Sequence, residues 1–220
     1  MKQISKQIYR IVFFTLLFIL VTSISGASDT NQKKSCTQTS CSEYPPAVKA
    51  LAPVARILII DAAMYSGMAA IWPQAYAPSK SSSAQLKKSW NQAPYWNRHS
   101  TFFELDDDPW QINGILHGVY GSEAYIAART WGKGPVPSFF YSLFASLTWE
   151  YMIEGFYQQP SAIDMMWTPV AGTVLGELRY QLLVIAHRKI SKKAARITVM
   201  TLIDPIGQLE RLICGCRFKP

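Results

Sequence analysis

LFASLTWEYMIE, residues 143–154, decides how this chain is read. Glu150 and Glu154 stand four residues apart in an otherwise apolar, aromatic run, and on a helix that spacing places both carboxylates on one face. Working outward, His117 lies upstream in NGILHGVYG. Downstream come Ser161 and Asp164 in PSAID, then Glu177 in GTVLGE. Apolar helices seldom carry so many ionisable groups without a partner or a task. The expectation is an all-α protein, a compact bundle of four to five helices with a polar centre between residues 106 and 177.

The flanking patterns give the helices. Residues 110–131 form one, with Gly114, Gly118 and Gly121 along it. Residues 136–157 form the most apolar one, stopped at Gln158-Gln159-Pro160, and residues 162–187 carry a second small pair, Gly172 and Gly176. A glycine inside a helix costs about 1 kcal/mol against alanine and makes sense where a neighbouring backbone comes close. Residues 47–72 are long enough to cross a bilayer but hold Lys49, Arg56 and Asp61, with Pro53 near their start. A buried core helix, in which Arg56 and Asp61 pair, and a tilted membrane helix are both open. Residues 73–111 read as loop, with PSKSSS as a linker and aromatics such as Trp90, Trp96, Phe102 and Trp110 suited to a bilayer interface or to packing over the helices. Asp106-Asp107-Asp108-Pro109 is a turn and helix cap. A last short helix, residues 197–213, is interrupted at Asp204-Pro205.

Residues 1–27 read as a cleaved signal peptide. Lys2, Lys6 and Arg10 form its basic leader, an apolar run follows, and Ser25-Gly26-Ala27 is a small-residue cleavage site. An exported, cell-envelope location follows, at the periplasmic face of the inner or outer membrane. Residues 28–46 are a polar leader with cysteines, residues 47–213 the helical domain, and residues 214–220 a CGC tail. Of the 22 basic residues, removal of Lys2, Lys6 and Arg10 leaves 19 against 14 acidic, a net +5. That modest excess gathers in HRKISKKAAR, where Arg188, Lys189, Lys192, Lys193 and Arg196 follow a helix. A solvated face and a contact with anionic headgroups are the two readings, the second stabilising by about 1 kcal/mol per basic residue. A membrane lipid or envelope protein is the expected partner, and nucleic acid is not. Cys36, Cys41, Cys214 and Cys216 are disulfide candidates in an oxidising compartment, with three pairings open: Cys36–Cys41, a strained Cys214–Cys216, or pairing between the two ends.

The polar residues support several chemistries. Ser161-x-x-Asp164 is a capping arrangement before it is anything chemical. If His117, Glu150, Glu154 and Asp164 converge, with Asn113, Ser161, Glu177 and Arg129 around them, they suit a divalent metal that activates water, acid–base work on an ester, or a buried network that fixes helix register. No HExxH, phosphate loop or nicotinamide fingerprint occurs and no nucleophile elbow surrounds Ser161, so no cofactor is established, and a divalent metal stays open. The leading expectation is a non-catalytic envelope protein that contacts lipid. The alternative is a hydrolase or transferase on lipid or headgroup, with His117 as base or ligand and Glu150, Glu154 and Asp164 as carboxylates. A mean hydropathy of +0.05 is low for a protein that crosses the membrane many times.

The spaced motifs DDDPWQIN, H-G-x-x-G-S-E-A-Y, S-L-T-W-E-Y-M-I-E, P-S-A-I-D-M-M-W-T-P-V-A-G-T-V-L-G-E and D-P-I-G resemble the bacterial domain of unknown function 3943 over residues 96–211. The resemblance implies an exported envelope protein with no established activity. In that family a helical region of this kind often precedes a C-terminal part that looks like an outer-membrane barrel, and residues up to Pro220 show no alternating-strand pattern. A looser likeness extends to the YfiM-type lipoproteins and the VanZ-like proteins. It implies related helical bundles and carries no reaction with it.

Overall fold

Prolines and polar caps punctuate the chain into helices. Pro46 opens α1 (Pro46–Ile71), Pro135 opens α4 (Pro135–Thr148) and Pro205 opens α7 (Pro205–Cys214), each at the position where a missing N–H is harmless. Between them run α2 (Ser82–Asn91), α3 (His117–Thr130), α5 (Ala162–Lys189) and α6 (Lys193–Ile203). The computed structural model describes residues 40–71, 73, 82–96 and 110–220. The signal segment, Cys36, Phe102 and the Asp106–Pro109 turn lie outside those residues.

The fold is all-α. Two helices are extended by wider turns. A π-helical segment, Gln111–Leu116, leads into α3, and a π turn, Trp149–Ile153, followed by a 3-10 turn, Glu154–Phe156, closes α4. The expected helix 136–157 is thus one rod with three pitches. The region expected to be loop contains α2, whose Ser89 lies with its Oγ 3.0 Å from the Gly155 and Gln158 carbonyls, so that α2 clamps the end of the α4 rod. Ser161 caps α5 through the Asp164 N–H, and Asp204 caps α7 through the Gly207 N–H.

The centre of the bundle is α3 between α4 and α5, and small residues bring them together. A Cβ on Gly121 would lie 2.2 Å from the Thr168 carbonyl oxygen, and one on Gly172 would lie 2.5 Å from the Gly121 backbone. Ser142 donates to the Gly121 carbonyl at 3.0 Å, and Ser146 to the Asp164 carbonyl at 3.0 Å. Hydroxyls and backbone therefore fill the seam that side chains would fill elsewhere. The second expected pair behaves alike, since Gly176 sits against the ring of Tyr125. α1 lies across α3 and α4, with Ile57 packed among Tyr120, Ala124, Ala145 and Trp149. At the far end α6 and the C-terminal residues cover Ile126, Leu183 and Val184 through Met200 and Phe218. Among the described residues no helix is long and apolar enough to cross a membrane.

Arg56 and Asp61 do not pair with each other, contrary to expectation. One turn and a half of helix turns them to different neighbours. Arg56 enters a buried network with Glu123 of α3 and with Asp204 at 2.7 Å. Asp204 also takes Arg211 at 3.2 Å, and Glu123 takes Arg179 of α5 at 2.6 Å. Burial opposes ionisation of Asp204, but the charges of Arg56 and Arg211 outweigh it and hold the carboxyl below its usual range. Burial lowers Arg211 and raises Glu210, which accepts the Trp131 indole N–H at 2.8 Å. Cys41 and Cys216 form a disulfide, the pairing between the two ends. Tyr44 and Trp131 pack around it, and the Cys41 N–H donates to the Arg217 carbonyl at 3.1 Å. Cys214 is a free, exposed thiol.

Candidate functional site

The two π-helical segments and the first turns of α5 meet at one buried place. His117 stands where the π segment passes into α3, Glu150 sits in the π turn, and Glu154 begins the 3-10 turn. A wide turn shifts the register of every residue after it and recurs at functional sites because it re-aims side chains. The result here is close approach: one ligand-type atom from each of His117, Glu150 and Glu154 lies within 4.8 Å of the other two, and all three residues are buried.

Each of these side chains is held from behind. His117 Nδ1 lies 3.0 Å from Thr168 Oγ1, and Nε2 lies 3.7 Å from Asp164 Oδ2. Glu150 Oε2 accepts the Ser161 backbone N–H at 2.6 Å. Glu154 accepts the Trp149 indole N–H at 2.8 Å through Oε1 and the Gln158 amide at 3.0 Å through Oε2. The loop carrying Ser161 is itself pinned, since Tyr95 N–H donates to the Pro160 carbonyl at 2.7 Å and Ala162 N–H to the Tyr95 carbonyl at 3.0 Å. Asn113, from the π segment, is fully buried.

Of the residues singled out from sequence, His117, Glu150, Glu154, Asp164 and Ser161 come together. Glu177 and Arg129 do not join them. Glu177 is thirteen residues beyond Asp164 on one helix, about 20 Å along its axis. There it pairs with Arg129 at 2.9 Å and accepts the Tyr125 hydroxyl at 2.8 Å. Burial works to raise the Glu177 carboxyl, but hydrogen bonds from Arg129, Gln181 and Tyr125 hold it below its ordinary value. Burial and the bond to Glu177 push the Tyr125 hydroxyl up to about 12. The basic run spans the break between α5 and α6, with Arg188, Lys189, Lys192 and Lys193 exposed.

Another buried acid was not singled out for the site from sequence. Asp61 of α1 faces Tyr120 of α3 and Thr148 at the end of α4. The Tyr120 hydroxyl also reaches the Ala145 carbonyl at 3.0 Å, and the Thr148 hydroxyl reaches the same carbonyl at 2.8 Å. Two hydroxyl hydrogens thus face four acceptor contacts, a shortage that a proton on the carboxyl would relieve. Burial pushes the Asp61 carboxyl up to about 7 against the hydrogen bonds from Tyr120 and Thr148. The signal in sequence was only an acid midway along an apolar helix.

No curated protein and no solved structure matches the chain. The family described as a domain of unknown function, DUF3943, matches residues 102–206, a stretch that contains His117, Glu150, Glu154, Asp164 and the close α3–α4–α5 seam, and over that stretch the chain is similar to this family.

Proposed function

We propose that the protein is a non-catalytic, exported envelope protein that seats the α4–α5 face of its bundle in the surface of a membrane. The observation that carries the reading is the inverted amphipathicity of α4. Its inward face is Ser138, Ser142 and Ser146, each at most 1 % exposed, while Val136 is 68 %, Phe140 58 % and Phe144 38 % exposed. A helix folded for water puts its phenylalanines in and its serines out. The same inversion runs along α5, with Thr168, Gly172 and Gly176 inside and Met166, Val170, Val174, Leu178, Leu182 and Ile185 outside. Those six positions make one apolar stripe at helical spacing, far beyond singly scattered surface apolar residues.

The stripe ends at Arg188, Lys189, Lys192 and Lys193, and apolar surface followed by clustered cations suits acyl chains followed by anionic headgroups. The N-terminal signal pattern and the Cys41–Cys216 bond both favour an oxidising compartment outside the cytoplasm.

The test is co-sedimentation with vesicles of neutral lipid and with vesicles containing phosphatidylglycerol. The purified protein should bind both and bind the anionic ones more tightly. Phe140→Glu with Val174→Glu removes two exposed apolar contacts without touching the core. Each contact is worth about 1.5–3 kcal/mol when buried, so binding should fall by roughly 100-fold or more. Protein that stays in the supernatant, or a double variant that binds unchanged, refutes the reading. So does a stable dimer in light scattering that the double variant abolishes, because a second copy would then cover this face.

A further inference from the structure

We propose that His117, Glu150 and Glu154 form a binding site for one divalent transition-metal ion, of the class of manganese, iron(II) or zinc. The argument rests on the donor set and on how it is held, and is independent of the membrane reading. One imidazole nitrogen and two carboxylate oxygens are a mixed nitrogen–oxygen set that suits these ions better than calcium or magnesium, which take oxygen donors. Ligands about 2.1 Å from a tetrahedral centre stand about 3.4 Å apart. The three donor atoms already lie within 4.8 Å of one another, so an ion here would draw them together by about 1.4 Å at most.

The surroundings have the form of an outer coordination shell. A metal-bound histidine characteristically gives its second ring N–H to an acceptor, which fixes the tautomer and aims the other nitrogen at the ion. Thr168 Oγ1 is placed to accept from His117 Nδ1 at 3.0 Å, a tautomer that makes Nε2 the basic nitrogen. Asp164 Oδ2 lies next to this set, 3.7 Å from Nε2, and would be its fourth donor. The contacts on the two glutamates include the Ser161, Trp149 and Gln158 N–H groups. Such donors orient a carboxylate, whose two oxygens together offer about four acceptor positions, more than one N–H donor fills. The three ligands come from the start of α3, the π turn and the 3-10 turn, so an ion here ties the two irregular segments of the fold together.

The experiment uses the full mature chain with Cys214→Ser, since an exposed thiol also takes zinc. Elemental analysis as purified, then calorimetric titration of the chelator-stripped protein with manganese and zinc, should give one ion per chain. Thermal unfolding should rise by several degrees with the ion and fall with chelator. His117→Asn and Glu150→Gln should each weaken binding at least 10-fold with circular dichroism unchanged. Where either fails to fold, Glu154→Gln at the less buried ligand serves the same purpose. Stripped protein that binds neither ion, or variants that bind as the parent does, overturns the proposal and leaves the cluster as a hydrogen-bonded network.

Discussion

Asp61→Asn is the substitution that reads the physics of the core most directly. The wild-type carboxyl ordinarily titrates at 3.8 and is pushed up to about 7 in the folded protein by burial. A displacement of that size couples roughly 4 kcal/mol of stability to one proton. The folded pKa lies above the unfolded one, so between about pH 4 and pH 7 the native state holds a proton that the unfolded chain has released. Stability therefore falls as pH rises through that window and levels off above about 7. Asparagine copies the neutral acid, with its amide N–H in place of the carboxyl O–H toward Tyr120 and Thr148. The variant should match wild type near pH 4.5 and exceed it by about 3 kcal/mol at pH 8. His187, lowered by burial and by Arg196 and Arg188, gives the opposite slope, and Glu210, raised by burial, gives a parallel one. Both are common to the two proteins and cancel in the difference. Urea unfolding followed by tryptophan fluorescence in a nonionic detergent, from pH 4.5 to 8.5, measures it. Two stability curves that run parallel across the range would refute the reasoning.

Other substitutions probe separate parts of the fold. Gly172→Ala drives a methyl group into the Gly121 backbone and should cost 2 kcal/mol or more, whereas Gly67→Ala, with nothing within 4 Å, should be neutral or gain up to about 1 kcal/mol. Equal effects in chemical denaturation would count against the close seam. Arg56→Met leaves Glu123 and Asp204 without their central cation and should cost about 3–5 kcal/mol; a loss under 1 kcal/mol would show the network to be dispensable. Cys41→Ser should lower stability by about 2–5 kcal/mol, and no change in the unfolding midpoint under oxidising conditions would contradict that cross-link.

The helical class and the polar centre were legible because both are local. Glu150 and Glu154 lie one turn apart, Ser161 precedes Asp164 at capping distance, and Gly172 and Gly176 mark a close approach, all within a few residues of chain. What the sequence concealed depends on pitch and on distant partners. A π turn has no composition of its own, so nothing in WEYMI announced that the rod would change register there. Arg56 finds Asp204 across 148 positions, and a pairing of that kind has no local signature, whereas the nearer Arg56–Asp61 pair looked plausible and is absent. Glu177 carried the same apolar context as Glu150, yet its place farther along α5 gives it to Arg129. Inverted amphipathicity was hidden because serine and phenylalanine at helical spacing show two faces without saying which of them is inside.

The bond between Cys41 and Cys216 makes a hoop of the helical body, since 175 positions separate the two sulfurs along the chain. A protease that cuts once anywhere on that hoop opens it without releasing a fragment, and the nicked molecule keeps its mass until a reductant divides it. Oxidation can also be completed only after the first helix and the last have reached the same neighbourhood. The thiol count at residues 41 and 216 is therefore a clock for assembly, readable by trapping free sulfhydryls at intervals during refolding.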